Sequence, residues 1–210
     1  MPAAESLREE IALAEKFDAE EAAILRLILQ DDDGKLFEQG RERLGRLLGF
    51  DVGHSDEEAA PDPWWIVDSS LCFAFEDHGE GKAATVLSPT KARQAASHPD
   101  WVRSELGFGA AAEVVPVLIT PARKASKGAV PHLKRVRYWN REDFRAWARG
   151  ALHAVRDLRR SYPGEGNLEW RQEAANALRR THVAPLELEE LLSKTAAEVM
   201  TVASVDVDPA

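Results

Sequence analysis

The sequence has little cysteine and no long apolar segment, and both absences narrow the class of protein. A chain whose one cysteine is Cys72 cannot form an intrachain disulfide, which fits a reducing compartment. No apolar run approaches the ~20 residues that a membrane-spanning helix needs. The first ten residues, MPAAESLREE, have neither the basic start nor the apolar stretch of a signal peptide. We therefore expect a soluble, cytoplasmic protein.

Several familiar signatures of catalysis and binding are missing as well. The chain has no internal repeat, no zinc-ligand spacing, no glycine-rich phosphate loop and no serine or cysteine nucleophile motif. Its 210 residues, of which 44% are hydrophobic and 30% charged, have a globular composition. This length allows one domain of ordinary size with helical extensions.

The charge of the chain is unevenly distributed. The formal net charge is −9, yet residues 91–160 carry 15 basic and 6 acidic side chains, whereas residues 1–90 carry 8 and 21. Binding of phosphate groups depends on local positive charge more than on the total. The acidic total therefore does not exclude a nucleic-acid partner for the middle of the chain.

The centre of the sequence is a predicted β-hairpin at residues 61–78, PDPWWIVDSSLCFAFEDH. Two strands, 64–67 and 71–77, flank the turn-forming Asp68-Ser69-Ser70. Alternation along the second strand places Leu71, Phe73 and Phe75 on one face and Cys72, Ala74, Glu76 and His78 on the other. Cys72 and Ala74 are small, which leaves room on that face for a helix or a ligand.

Periodicity and capping residues predict the other elements. We expect helices at 3–16, 18–30, 35–48, 89–97, 101–106, 141–160, 168–180 and 185–200, and further strands at 50–52, 113–120 and 136–139. Pro116 lacks a backbone donor and predicts an edge position or a bulge for the strand 113–120. The resulting organisation is an N-terminal helical extension (1–33), a central domain (34–160), a C-terminal helical extension (161–200) and a disordered tail (201–210).

Asp62, Glu76 and His78 resemble the motif of the PD-(D/E)XK nucleases, the restriction-endonuclease-like superfamily. In that family an aspartate at the start of one strand and an acidic residue near the end of the next hold a divalent metal. A lysine two residues later serves the attacking water, and here His78 stands in its place. The order PDPWW, FEDH and SPTKARQAASHPDWV extends the resemblance, which covers roughly residues 34–160 and is typical of bacterial domains. It implies an α/β fold with a central mixed β-sheet flanked by helices.

The resemblance also implies a set of site residues. Asp62 and Glu76 would bind Mg²⁺ or Mn²⁺, and Glu38 from the preceding helix would add a third carboxylate, although it could equally be a surface residue. Gln94 would help to hold the phosphate or the attacking water. His78 could act as a general base, and Lys82 is an alternative source of the missing lysine.

Basic residues of the middle segment are candidates for contacts with phosphates. Those predicted to bind nucleic acid are Lys91, Arg93, Arg123, Lys124, Lys134 and Arg135. The last four lie in a loop, which could also be an ordinary solvated segment.

The sequence thus predicts a metal-dependent nuclease, with DNA favoured over RNA as its substrate. One alternative is a catalytically degenerate module that keeps the fold and binds nucleic acid or a protein. Another is an α/β interaction protein with incidental carboxylates. The helical extensions could bind a protein partner or a second copy of the chain.

Overall fold

The computed structural model describes residues 2–29, 33–57, 59–78 and 84–203, with side chains from residue 13 onward. The helices are α1 (Pro2–Leu29), α2 (Gly34–Leu47), α3 (Pro89–Glu105), α4 (Val130–Leu133), α5 (Arg141–Arg160), α6 (Leu168–Arg180), α7 (Pro185–Leu191) and α8 (Ala196–Val199). The strands are β1 (Asp51–Gly53), β2 (Trp64–Asp68), β3 (Leu71–Asp77), β4 (Val86–Leu87), β5 (Glu113–Thr120), β6 (Lys124–Ala125), β7 (Arg137–Asn140) and β8 (Thr201–Val202). Lys82 and residues 204–210 lie outside the described part.

A mixed five-stranded sheet with the order β1-β2-β3-β5-β7 forms the centre of the fold. β1, β2 and β3 are antiparallel neighbours, so the predicted hairpin is confirmed, and β5 and β7 then continue the sheet parallel to β3. The three parallel strands end at Asp77, Thr120 and Asn140, and we call this side of the sheet the carboxyl end. The opposite side, where β5 begins at Glu113, is the amino end.

Helices cover both faces of this sheet, as the alternation along β3 predicts. Leu71, Phe73 and Phe75 belong to the main core, to which α1, α2, α5 and α7 contribute. Cys72 and Ala74 lie on the other face with Val102 of α3, so the room left by the two small residues is filled by a helix. The predicted α/β class with a mixed sheet flanked by helices is therefore confirmed.

The helical extensions differ in part from the prediction. Residues 3–16 and 18–30 form one helix, α1, and Asp18 lies inside it instead of opening a second helix. Ile24 and Ile28 of α1 are fully buried in the main core. The C-terminal helix predicted at 185–200 is split into α7 and α8, because the chain turns at residues 192–195.

Two predictions that rested on proline are wrong. α3 continues through Pro99 to Glu105, although a helix end had been expected at 97. β5 is flanked by β3 and β7, so it is not an edge strand despite Pro116. Its ladder with β7 begins only at Val117, and Pro116 therefore pairs on the β3 side alone, opposite Ala74.

A second, small parallel sheet with the order β4-β6-β8 lies at the start of α3. β8 is formed by Thr201 and Val202, so the prediction of a disordered tail is wrong for these residues. Within the described ranges, no helix combines the length and apolarity that crossing a bilayer requires.

Candidate functional site

Backbone pairing at the open end of the hairpin places Asp62 beside Glu76. The Asp62 N–H donates to the Phe75 carbonyl at 2.8 Å, and the Phe75 N–H donates to the Pro63 carbonyl at 3.0 Å. Phe75 directly precedes Glu76 in β3. The two acidic residues that the sequence pattern singled out are therefore neighbours at the carboxyl end of the sheet, close enough for their charges to interact.

Glu76 is fully buried and both of its carboxylate oxygens have partners on α3. Lys91 Nζ lies 2.7 Å from Oε1, and His98 Nε2 lies 2.8 Å from Oε2. Lys91 and His98 are seven residues apart and share one face of the helix. The Ser88 hydroxyl caps α3 by accepting from the Lys91 N–H at 3.3 Å, which fixes where the helix begins.

His78, which occupies the motif position of the lysine, is directed towards β5. Its Nδ1 lies 3.2 Å from the Thr120 hydroxyl, and its backbone N–H donates to the Ile119 carbonyl at 3.0 Å. The same Thr120 hydroxyl accepts from the Ala122 N–H at 3.1 Å. The cation in contact with Glu76 is thus Lys91, which sequence reasoning had assigned only to phosphate binding.

The charges at this site perturb each other. Burial raises the pKa of Asp62, and the neighbouring Glu76 raises it further, while Arg41, His98 and Lys91 act in the opposite direction. Burial disfavours the charged form of Lys91, but the carboxylates of Glu76 and Asp62 outweigh it and raise the pKa of the ammonium. Lys91 is therefore charged at neutral pH, and Asp62 carries a carboxylate that is destabilised by its surroundings.

Glu38 of α2 is close enough to Asp62 for their charges to interact, but within the described residues its ligand atoms do not cluster with those of Asp62 and Glu76. Burial raises the pKa of Glu38, and the charge of Asp62 adds to the effect, opposed in part by His54 and Arg41. His54 Nδ1 lies 2.5 Å from Glu38 Oε1 and 4.0 Å from Glu42 Oε1. Ligand atoms of Glu38, Glu42 and His54 all fall within 4.8 Å of one another, so this trio offers a further set of cation ligands.

Asp77, the next residue along β3, faces the opposite side of the sheet. Its Oδ2 lies 3.7 Å from Nη2 of Arg41, which is fully buried and lies over the ring of Phe37. Burial raises the pKa of Asp77, and the charges of Arg41 and Arg141 oppose this rise. Glu76 therefore meets a cation of α3 on one face, and Asp77 lies near cations of α2 and α5 on the other.

The remaining predicted residues are distributed around the sheet. Gln94 is half-buried on α3, one turn beyond Lys91, and Arg93 is exposed. Arg123 lies at the carboxyl end, where it lines a 460 Å³ cavity with Tyr138 and Asn140. Lys124 pairs with Val86, just before α3 begins.

Lys134 and Arg135 lie away from this group. The chain runs back from the carboxyl end of β5 to the start of β7 between residues 121 and 136. Arg135 consequently lines a 240 Å³ cavity with Glu113 and Arg103 at the amino end. The structure brings Arg123 and Lys124 to the side of the carboxylates and separates Lys134 and Arg135 from it.

Sequence reasoning missed His98 as a site residue, and it also missed Glu42 and His54 of the trio around Glu38. Pro99 predicted a helix end beside His98, and a histidine at a helix end gives no reason to expect a buried contact. The seven-residue spacing between Lys91 and His98 was visible, and a helix extended through Pro99 would have directed both towards Glu76.

Comparison of the chain with protein-family models, with curated proteins and with solved structures finds no match.

Proposed function

We propose that the chain is a metal-dependent nuclease of the restriction-endonuclease-like fold that hydrolyses phosphodiester bonds, in DNA rather than RNA. The observation that carries the proposal is the contact between Lys91 Nζ and Glu76 Oε1, at 2.7 Å, beside Asp62. The sequence motif has His78 at the position of its lysine. The contact provides an acid–lysine pair in which the lysine comes from α3. The topology supports the same proposal, since Asp62 precedes one strand of a hairpin and Glu76 is the last residue but one of the other.

The carboxylates at the site fit a divalent cation. Asp62 and Glu76 offer hard oxygen ligands of the kind that Mg²⁺ and Mn²⁺ prefer. Burial and mutual repulsion raise the pKa of Asp62, and burial together with the charge of Asp62 raises that of Glu38, so a cation placed near them would relieve a real electrostatic cost. A metal bound there would make a coordinated water more acidic and would offset negative charge on the phosphate.

Residues of the chain itself would then hold and orient the substrate. The Lys91 ammonium, 36% exposed and close to both acids, can donate hydrogen bonds to a phosphate oxygen or to the attacking water. Arg123 and Lys124, on the same side of the sheet, would position neighbouring phosphates. Gln94 and His78 remain candidates for contacts with the scissile group.

The test is cleavage of supercoiled DNA, linear DNA, single-stranded DNA and RNA in Mg²⁺ or Mn²⁺, by the native protein and by Glu76→Gln and Lys91→Met. We expect metal-dependent cutting that each substitution reduces by a factor of at least about 100, in line with the loss of a catalytic group. Glu105→Gln removes an exposed carboxylate at the far end of α3 and is the matched control. Activity that survives both substitutions would exclude this site as the catalytic centre.

One observation favours the alternative of a catalytically degenerate module. Both oxygens of Glu76 already have protein partners, so Lys91 and His98 could serve as permanent counter-groups where a catalytic site would bind a metal. Such a module would bind nucleic acid or a protein without cleaving it. Binding of labelled DNA in the presence of Mn²⁺ with no cleavage of any of the four substrates would support this function instead.

A further inference from the structure

Within the described part of the chain, the buried imidazole of His98 makes one polar contact. Its Nε2 lies 2.8 Å from Glu76 Oε2, and the residue is 0% exposed. Its Nδ1 has no hydrogen-bond partner among the described residues. Buried polar side chains generally have a hydrogen-bond partner, and for His98 the partner within the described ranges is Glu76.

The contact fixes where the ring carries a hydrogen. A carboxylate oxygen can only accept, so the hydrogen must lie on Nε2. Nε2 of His98 therefore donates to Oε2 of Glu76.

The two oxygens of Glu76 differ in their access to solvent. Oε2 meets His98, whose side chain is wholly enclosed, whereas Oε1 meets Lys91, whose side chain is 36% exposed. Oε1 is therefore on the accessible side of the carboxylate. The imidazole contacts the carboxylate from its enclosed side and so fixes the rotation of the carboxylate.

We propose that His98 is a positioning residue that anchors Oε2 of Glu76, so that Oε1 alone is presented to cations at the accessible side. Its effect on a divalent metal rests on the proposed function, whereas the anchoring itself does not. A group that orients a metal-binding carboxylate in this way typically changes metal affinity about 10–100-fold when it is removed.

The first measurement concerns the ring itself. A long-range ¹H–¹⁵N correlation spectrum of the native protein, with His98 assigned by its loss in His98→Gln, should show a proton on Nε2. An Nε2 that carries no proton would overturn the anchoring contact. This result does not depend on any metal or on activity.

The second measurement is calorimetric titration with Mn²⁺ of the native protein, His98→Leu and His98→Gln. We expect His98→Leu to bind about 10–100-fold more weakly. His98→Gln, whose amide can donate from nearly the same place as Nε2, should recover most of the affinity. His153→Gln, on the exposed side of α5, is the control and should bind as the native protein does.

The outcomes separate the inference from the proposed function. Unchanged affinity in a folded His98→Leu, or affinity in His98→Gln as weak as in His98→Leu, would overturn the role of His98. If His98→Leu does not fold, His98→Asn replaces it, since the shorter asparagine amide cannot reach Oε2. A native protein that binds no Mn²⁺ overturns the proposed function, and the anchoring is then decided by the spectrum.

Discussion

At the scale of single residues, the ion pair of Lys91 and Glu76 combines a buried carboxylate with a partly accessible ammonium. Removing the ammonium leaves Oε1 of a fully buried carboxylate without its donor. We expect Lys91→Met to lower the free energy of unfolding by about 1–3 kcal/mol, the cost of an unsatisfied buried group. Urea denaturation at pH 7 measures the change.

A double substitution tests the cause of that loss. In a Glu76→Gln background, Lys91→Met should cost clearly less, because no buried charge is left unpaired. Lys127→Met, which removes an exposed ammonium from the loop after β6, should change stability by no more than about 0.5 kcal/mol. Equal costs of Lys91→Met in the two backgrounds would show that the pair does not stabilise the fold.

The raised pKa of Asp62 predicts a pH-dependent gain in stability on its replacement. Burial and the charge of Glu76 raise this pKa, so the ionised form is less favourable in the folded chain than in the unfolded chain. This loss of stability is complete at pH values above the pKa of Asp62 in the folded chain. It vanishes as the pH falls below the pKa of an aspartate in the unfolded chain, about 3.9. Asp62→Asn should therefore unfold at a higher temperature than the native protein at pH 7, and at the same temperature near pH 3.

Asp68, at the hairpin turn, is a control for which we expect the opposite change in stability. Hydrogen bonds from the Ser70 hydroxyl and backbone N–H lower the pKa of Asp68, so its ionisation favours the folded chain. Asp68→Asn should consequently lose stability at pH 7 and lose less at acidic pH. If Asp62→Asn loses stability at pH 7, as Asp68→Asn does, the folded chain does not raise the pKa of Asp62.

At the scale of elements, α2 packs against the sheet through a glycine that no side chain can replace. A Cβ at Gly45 would lie 2.5 Å from Trp65 Nε1 and 2.7 Å from Val52 Cγ2, and Trp65 is fully buried. Gly45→Ala gains about 1 kcal/mol of helix propensity but overpacks this contact. We expect a net loss of about 1–3 kcal/mol in the free energy of unfolding.

Gly150 of α5 provides the matched comparison. A Cβ there would meet nothing within 4 Å, so Gly150→Ala should stabilise the protein by about 0.5–1 kcal/mol. Opposite signs for two glycine-to-alanine changes in helix interiors would show that close packing of α2, and not propensity, decides the effect at Gly45. A stabilised Gly45→Ala would contradict the close approach of α2 and β2.

The elements that could be predicted are those whose pattern is local. The alternation in β3 and the amphipathic periodicity of α5 predicted both elements correctly, because large and small side chains alternate between the two buried faces of β3 and one stripe of α5 is buried. The predictions based on Pro99 and Pro116 were wrong for two reasons. Tertiary packing keeps α3 helical through Pro99. The short β7 does not extend as far as Pro116, so this residue needs no second strand partner. Asp62 and Glu76 could be found from the motif, whereas the role of Lys91 depends on how α3 crosses the sheet.

At the scale of the whole molecule, the basic residues of segment 121–136 divide between two ends of the sheet. Arg123 and Lys124 follow the carboxyl end of β5, near Thr120 and the start of α3, while Arg135 lines a cavity with Glu113 at the amino end. A nucleic acid that reaches Asp62 and Glu76 would contact the first pair. The net charge of −9 makes such local contacts decisive, because the molecule as a whole repels phosphates.

Two double substitutions with the same change in charge test this division. Binding of a short labelled DNA duplex is measured in EDTA over a range of salt concentrations, for Arg123→Ala/Lys124→Ala and for Lys134→Ala/Arg135→Ala. Each lost phosphate contact should reduce the slope of log affinity against log salt by about 1, so the first variant should lose about 2 and the second should keep the native slope. Equal losses would mean that DNA binds through diffuse charge, and a larger loss in the second variant would place the DNA at the amino end, away from the carboxylates.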